Sequence, residues 1–145
     1  MKKILRFVSL LLIITTLFSS TALAQSNTDT FSTIKALLEK ILEQNYYYKL
    51  EGNESGFVIH ISEEGIANAC VSLMYGLKDR ESWNSYVNST IDYANSISDF
   101  LITCGIENPN LLFIVLDDLK FNSTILAIYN GNVIYDFTYT NINTQ

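Results

Sequence analysis

The sequence predicts an α+β protein: a mostly antiparallel sheet of about five strands with helices packed on one face, preceded by a cleaved signal peptide. Three observations lead there. A hairpin pattern of period 2 occupies residues 46–62, a helical block follows over 63–104, and an Asn-Gly hairpin closes a run of three strands beyond 110. Strands gathered on either side of a helical block, rather than alternating with helices one by one, mark the α+β class.

The chain opens with a basic head, Met1-Lys2-Lys3 and Arg6, then an apolar run from Phe7 to Phe18, then Ala22-Leu23-Ala24. This is the layout of a secretory signal peptide, with small residues where a signal peptidase reads. The apolar run is about a dozen residues, short of the roughly 20 that span a bilayer. Residues 1–24 are therefore expected to be removed, leaving 25–145 as a single α+β domain that begins at Gln25, is secreted and keeps no membrane anchor.

From Phe31 the apolar spacing turns helical. Phe31, Ile34, Leu38 and Ile41 share a stripe, with Lys35, Glu39 and Glu43 opposite,. Asp29 or Thr30 is the expected cap, and Asn45 the expected end. Tyr46, Tyr48 and Leu50 then alternate with Tyr47, Lys49 and Glu51. After a glycine-bounded loop, Gly52 to Gly56, the residues Phe57, Ile59 and Ile61 alternate with Val58, His60 and Ser62. Two such runs around a short loop read as a β-hairpin.

Ser62-Glu63-Glu64 has the chemistry of a helix start, and Ile66, Cys70, Leu73 and Leu77 form the next stripe. Gly76 and the polar residues 78–81 point to a break, although one continuous bent helix is the alternative. Trp83, Val87, Ile91, Ala94, Ile97 and Leu101 continue the period for about five turns, and Gly105 supplies the stop. Leu111 to Leu116 is apolar throughout, the signature of a central strand covered on both faces. Asn130-Gly131 between two β-rich runs predicts a two-residue turn with positive φ at both positions. In that register Ile128 opposes Val133, Leu126 opposes Tyr135, Ile125 opposes Asp136, and the second strand runs on to Tyr139.

Composition excludes several roles. Without Lys2, Lys3 and Arg6, six of the nine basic residues remain against 15 acidic ones, a formal charge of −9. Nucleic acid and anionic lipid are expected not to be partners, since both call for clustered Lys and Arg. Cys70 and Cys104 are the only cysteines. In a simple antiparallel helix pair they stand roughly 24 Å apart along the axis, beyond the ~7 Å limit of a disulfide, so two separate buried thiols are expected.

Catalytic and metal-binding patterns are absent from the sequence. His60 is the single histidine and has no cysteine or second histidine near it, which makes neither a triad nor the usual zinc site,. Asp117, Asp118 and Asp136 stand at strand ends, but adjacent residues of a strand point to opposite faces and no calcium-loop spacing supports them. No nucleophile-elbow, phosphate-loop, zincin or dinucleotide motif occurs. No catalytic, cofactor or metal residue is assigned. The aromatic strands are a different matter. Tyr46, Tyr47, Tyr48, Tyr129, Tyr135 and Tyr139 are the candidate interaction surface, chemically suited to an extracellular protein or a glycan.

Ile59-His60-Ile61-Ser62, Glu64-Gly65, Trp83-Asn84, Cys104-Gly105, Leu116-Asp117-Asp118 and Asn130-Gly131-Asn132-Val133-Ile134-Tyr135-Asp136 give residues 46–140 a resemblance to an uncharacterised family of small secreted proteins of low-GC Gram-positive bacteria. The resemblance implies no activity and carries no catalytic residue. The leading expectation is a non-enzymatic extracellular or envelope-associated binding module. The alternatives are a small carboxylate-dependent hydrolase, which needs two convergent acids in a concave pocket, and a self-associating structural protein joined through a free edge strand.

Overall fold

The computed structural model describes residues 27–44, 46–53, 56–117 and 123–140. The expected signal peptide, the start at Gln25, Asp118 and the turn through Lys120 and Asn122 lie outside them. Five strands, β1 (Tyr47–Asn53), β2 (Gly56–Ser62), β3 (Asn110–Leu116), β4 (Thr124–Tyr129) and β5 (Asn132–Asp136), lie side by side in chain order. Neighbours pair antiparallel except β2 and β3, which are parallel. Helix α1 (Asn27–Glu43) precedes the sheet, α2 (Ile66–Met74) and α3 (Arg80–Thr103) form the crossover from β2 to β3, and a turn of helix, α4 (Phe137–Thr140), follows β5. The α+β class and the mostly antiparallel sheet agree with the sequence pattern.

A parallel pair needs a crossover of a dozen residues or more, and the helical block supplies it. That block is two helices. The backbone turns at Gly76 with φ 67°, Leu77 N–H reaches back to Ser72 O at 2.8 Å, and Gly76 N–H donates to Leu73 O. The same glycine stop ends α3, where Gly105 has φ 90° and Ile106 N–H donates to Leu101 O at 3.0 Å,. Helix α3 starts on Asp79, whose carboxylate accepts the Ser82 N–H at 2.7 Å,. Two expected caps are displaced. Helix α1 begins at Asn27, so Asp29 and Thr30 are helical, and α2 begins after Gly65 at φ 85°. Ser62 stays in β2 and gives its hydroxyl to Asp117 O at 3.4 Å.

The core lies between the helices and one face of the sheet. Ile34, Leu38, Ile41 and Leu42 from α1 meet Ala94, Ile97, Phe100 and Leu101 from α3 over Phe57, Ile59, Leu111 and Phe113. The predicted α3 stripe holds at Trp83, Ala94, Ile97 and Leu101, with Val87 and Ile91 half-buried; Thr90 and Phe100 are additional buried members. Aromatic edges knit these layers: Tyr93 meets Phe113 at 5.6 Å and Tyr46 at 5.4 Å between centroids, and Phe31 stacks on Phe57 at 5.3 Å. Cys70 and Cys104 are both free thiols, as expected, but only Cys70 is buried; Cys104 is half-buried.

The sheet departs from its predicted form in three places. The first ladder extends through Gly52, Asn53 and Gly56, which the sequence assigns to a loop. Strand β3 is central, but its buried side chains alternate: Leu111, Phe113 and Val115 are buried while Leu112 and Ile114 are only half-buried. Helices therefore cover it on one side. In the second hairpin Asn130 and Gly131 take φ 46° and 77° as predicted, and Ile128 pairs with Val133. The register then shifts, so that Ala127 pairs with Tyr135 and Leu126 with Asp136. Ile134 is the extra residue of a β-bulge. Strand β5 ends at Asp136, because Thr138 N–H and hydroxyl both donate to that carboxylate, at 2.9 and 2.7 Å, and turn the chain into α4. Tyr139 is thus helical rather than a strand residue.

Candidate functional site

Strand alternation divides the sheet's side chains cleanly. With Phe57, Ile59, Leu111 and Phe113 on the helix side, the register places two rows on the other face. One runs Glu51, Val58, Leu112, Tyr129, Asn132; the next runs Lys49, His60, Ile114, Ala127, Tyr135. The centre of this open face is apolar, its β1 side charged and its β4–β5 side aromatic. Val58, Leu112 and Ile114 are half-buried, whereas Tyr129 and Tyr135 are exposed. Tyr129 is fixed by its hydroxyl, which donates to Asn110 Oδ1 at 2.9 Å. Lys49 and Glu51 form an ion pair on the same face, and the lysine holds the Glu51 carboxyl below its ordinary range.

Of the six candidate tyrosines, the fold brings Tyr47, Tyr129 and Tyr135 to this face. Tyr46 and Tyr48 are corrected: they point to the helix side. Tyr46 is half-buried against Tyr93, and burial, aided by the charge of Glu63, pushes its hydroxyl well above the usual tyrosine range. Tyr48 donates to Glu43 Oε1 at 3.4 Å and pairs with the buried Ile61. Their parity with Leu50 already separates them from Tyr47. Tyr139 lies elsewhere, under the Arg80 guanidinium at 5.4 Å from the ring centroid.

Tyr135 reaches the open face only through the bulge. The predicted register puts Tyr135 opposite Leu126, on the helix side, and Asp136 outside. The extra Ile134 exchanges them,. Asp136 consequently enters the core, where both carboxylate oxygens accept Trp83 Nε1–H at 3.2 and 3.1 Å. The remaining titratable candidates are structural in the same sense. Asp117 closes the β3–β4 connection through its own N–H and Oδ1 to Ser123. His60 sits between Lys49 and Ile114 in the outer row. Among the described residues, no three His, Cys, Asp or Glu side chains are grouped to hold a metal ion. Burial first, then the charges of Asp117 and Asp136, push the Cys70 thiol up to about 11; burial alone brings Cys104 to about 11,.

Sequence reasoning missed one further feature. Two adjoining cavities, of 330 and 190 Å³, share Leu73 and Lys78 and lie where α2, the start of α3 and α4 meet. The walls of the larger one come from residues some 60 positions apart in the chain, so no local pattern announces it. A shallower groove at the end of the sheet runs past Glu51, Asn53, Val58, Asn110 and Tyr129. Each of these cavities has a single carboxylate in its lining or none. No described helix is long and apolar enough to cross a membrane. No protein-family model matches this chain, and no curated protein or solved structure does.

Proposed function

We propose that the protein is a secreted, non-enzymatic binding module that docks a partner protein on the open face of its sheet. One observation carries the reading. Val58, Leu112, Ile114 and Ala127 form an apolar centre on a face whose aromatic margin is Tyr129 and Tyr135, with the helices on the opposite side. An apolar centre with rigid tyrosines at its rim is the composition of a protein interface. The amino-terminal pattern from Lys2 to Ala24 supports export,. The resemblance to small secreted bacterial proteins belongs to the same proposal.

The test replaces Ile114, which points away from the core. Cross-linking of the protein in its secreted fraction, followed by identification of the linked peptides, is expected to place partner contacts on Tyr129, Tyr135 and the residues of the two rows. Ile114→Lys is expected to abolish those links while leaving the unfolding free energy within about 0.5 kcal/mol. Undiminished links in Ile114→Lys would refute the assignment of this face. Links between identical peptides of two copies, with a doubled mass on sizing, would identify the self-associating alternative instead. Saturable binding of an oligosaccharide lost in Tyr129→Ala and Tyr135→Ala would replace the protein partner with a glycan.

A further inference from the structure

On the side of the molecule away from the open sheet face, the two cavities of 330 and 190 Å³ combine an apolar floor with a cationic mouth. Leu73, Met74 and Phe137 line the larger one; Ile66, Trp83 and Tyr86 line the smaller. The larger volume alone falls within the ~300–1,000 Å³ range of small-molecule sites. Lys78 borders both, and Arg80 and Thr138 border the larger. Neither cation forms an ion pair with a carboxylate among the described residues. In a chain with 15 acidic residues against nine basic ones, two such cations at one mouth are a local exception. Asp79 lines the smaller cavity beside Lys78, and both nearby acids are already engaged by donors. Asp79 faces the first turn of α3 through Ser82 N–H, and Asp136 is engaged by Trp83 and Thr138 behind the cavity wall. Arg80 is steadied over the Tyr139 ring at 5.4 Å,.

Tyr75 and Leu77, three residues and one residue before Lys78 in the chain, are 78% and 77% exposed. A cation pair over an apolar slot is complementary to a molecule of the opposite design.

We propose that this groove binds a small amphipathic anion, a carboxylate or phosphate head on a single hydrocarbon chain or ring. The head meets Lys78 and Arg80, and the tail lies along Leu73, Met74 and Phe137 toward Trp83. Trp83 is the only tryptophan in the chain, so its emission reports occupancy without a label.

Octanoate is the probe, with octanol and octylamine as controls of equal chain length. Octanoate is expected to change Trp83 emission saturably, with octanol at least tenfold weaker and octylamine without effect. Lys78→Gln with Arg80→Gln is expected to weaken octanoate by roughly tenfold or more, the loss of a hydrogen bond to a charged group. Lys35→Gln with Lys40→Gln, a pair equal in charge and remote from the groove, is expected to change nothing. Equal binding of octanoate and octanol, no saturation, or no effect of the Lys78/Arg80 pair would overturn the proposal. So would co-sedimentation with phosphatidylglycerol vesicles that octanoate fails to displace, which would assign the loop to a lipid surface.

Discussion

Asp136→Ala should destabilise the protein by about 3–5 kcal/mol. Asp136 is 8% exposed, and its carboxylate collects three donors: Trp83 Nε1–H, the Thr138 N–H and the Thr138 hydroxyl. Truncation leaves the indole N–H in the core without an acceptor, about 1–3 kcal/mol. It removes the group that starts α4, about 1 kcal/mol. The charge-assisted bonds lost add about 1.5–3 kcal/mol, partly offset because a carboxylate no longer has to be held out of water. A domain of this size has a total stability of roughly 6–18 kcal/mol, so the change is a large share of it. Asp136→Asn keeps the volume but turns an amide N–H toward one of the donors, and about 1–3 kcal/mol is expected. Urea unfolding gives the answer as a shifted midpoint at constant slope. Trp83→Phe closes a double-mutant cycle with Asp136→Asn, in which the direct bond shows as a coupling of about 1 kcal/mol or more. Asp136→Ala within about 0.5 kcal/mol of the parent, or a cycle additive to within about 0.3 kcal/mol, would refute the role given to this contact.

Cys70 and Cys104, both held at about 11 by burial, should react negligibly with a disulfide reagent at pH 8 and fully in denaturant,; prompt reaction of the native protein would contradict their burial. Tyr46, Tyr86 and Tyr93 are all raised by burial, so the folded state holds their protons more tightly than the unfolded chain. That stability is fully present below about pH 10 and is lost as pH rises beyond it, and these three of the nine tyrosines should ionise only together with loss of the circular-dichroism signal. Gly56→Ala should cost about 1–3 kcal/mol, since its Cβ would strike the Asn110 carbonyl across the parallel β2–β3 pair; an unchanged urea midpoint would show that the pair yields.

Local signals were readable to the extent that their causes are local. Asn130-Gly131 and the stops at Gly76 and Gly105 could be placed because a positive φ limits which residues serve,. The inward parity of Tyr46 and Tyr48 was likewise present in their alternation with Leu50. The bulge at Ile134 was not visible, because nothing in Asn132 to Asp136 distinguishes an even ladder from a slipped one. What selects the slip lies outside the strand: Trp83, distant in sequence, and Thr138, just beyond its end, offer donors to a carboxylate on the helix side. Leu111 to Leu116 read as covered on both faces because its composition is uniform, while burial depends on which face the crossover helices occupy. The groove at Lys78 and Arg80 was hidden for the same reason, being made by the meeting of α2, α3 and α4.

The single parallel pairing also governs how the chain can assemble. Every other strand contact is between neighbours in sequence, so β1–β2 and β3–β4–β5 can each form locally as soon as their residues are available,. The β2–β3 ladder, from Gly56↔Asn110 to Ile61↔Val115, joins residues about 54 apart and cannot close before α2 and α3 have bridged the gap,. The protein is thus two quick halves and one slow seam. Until the helices fold, that seam stays open and its two inner strand edges remain available to other chains,.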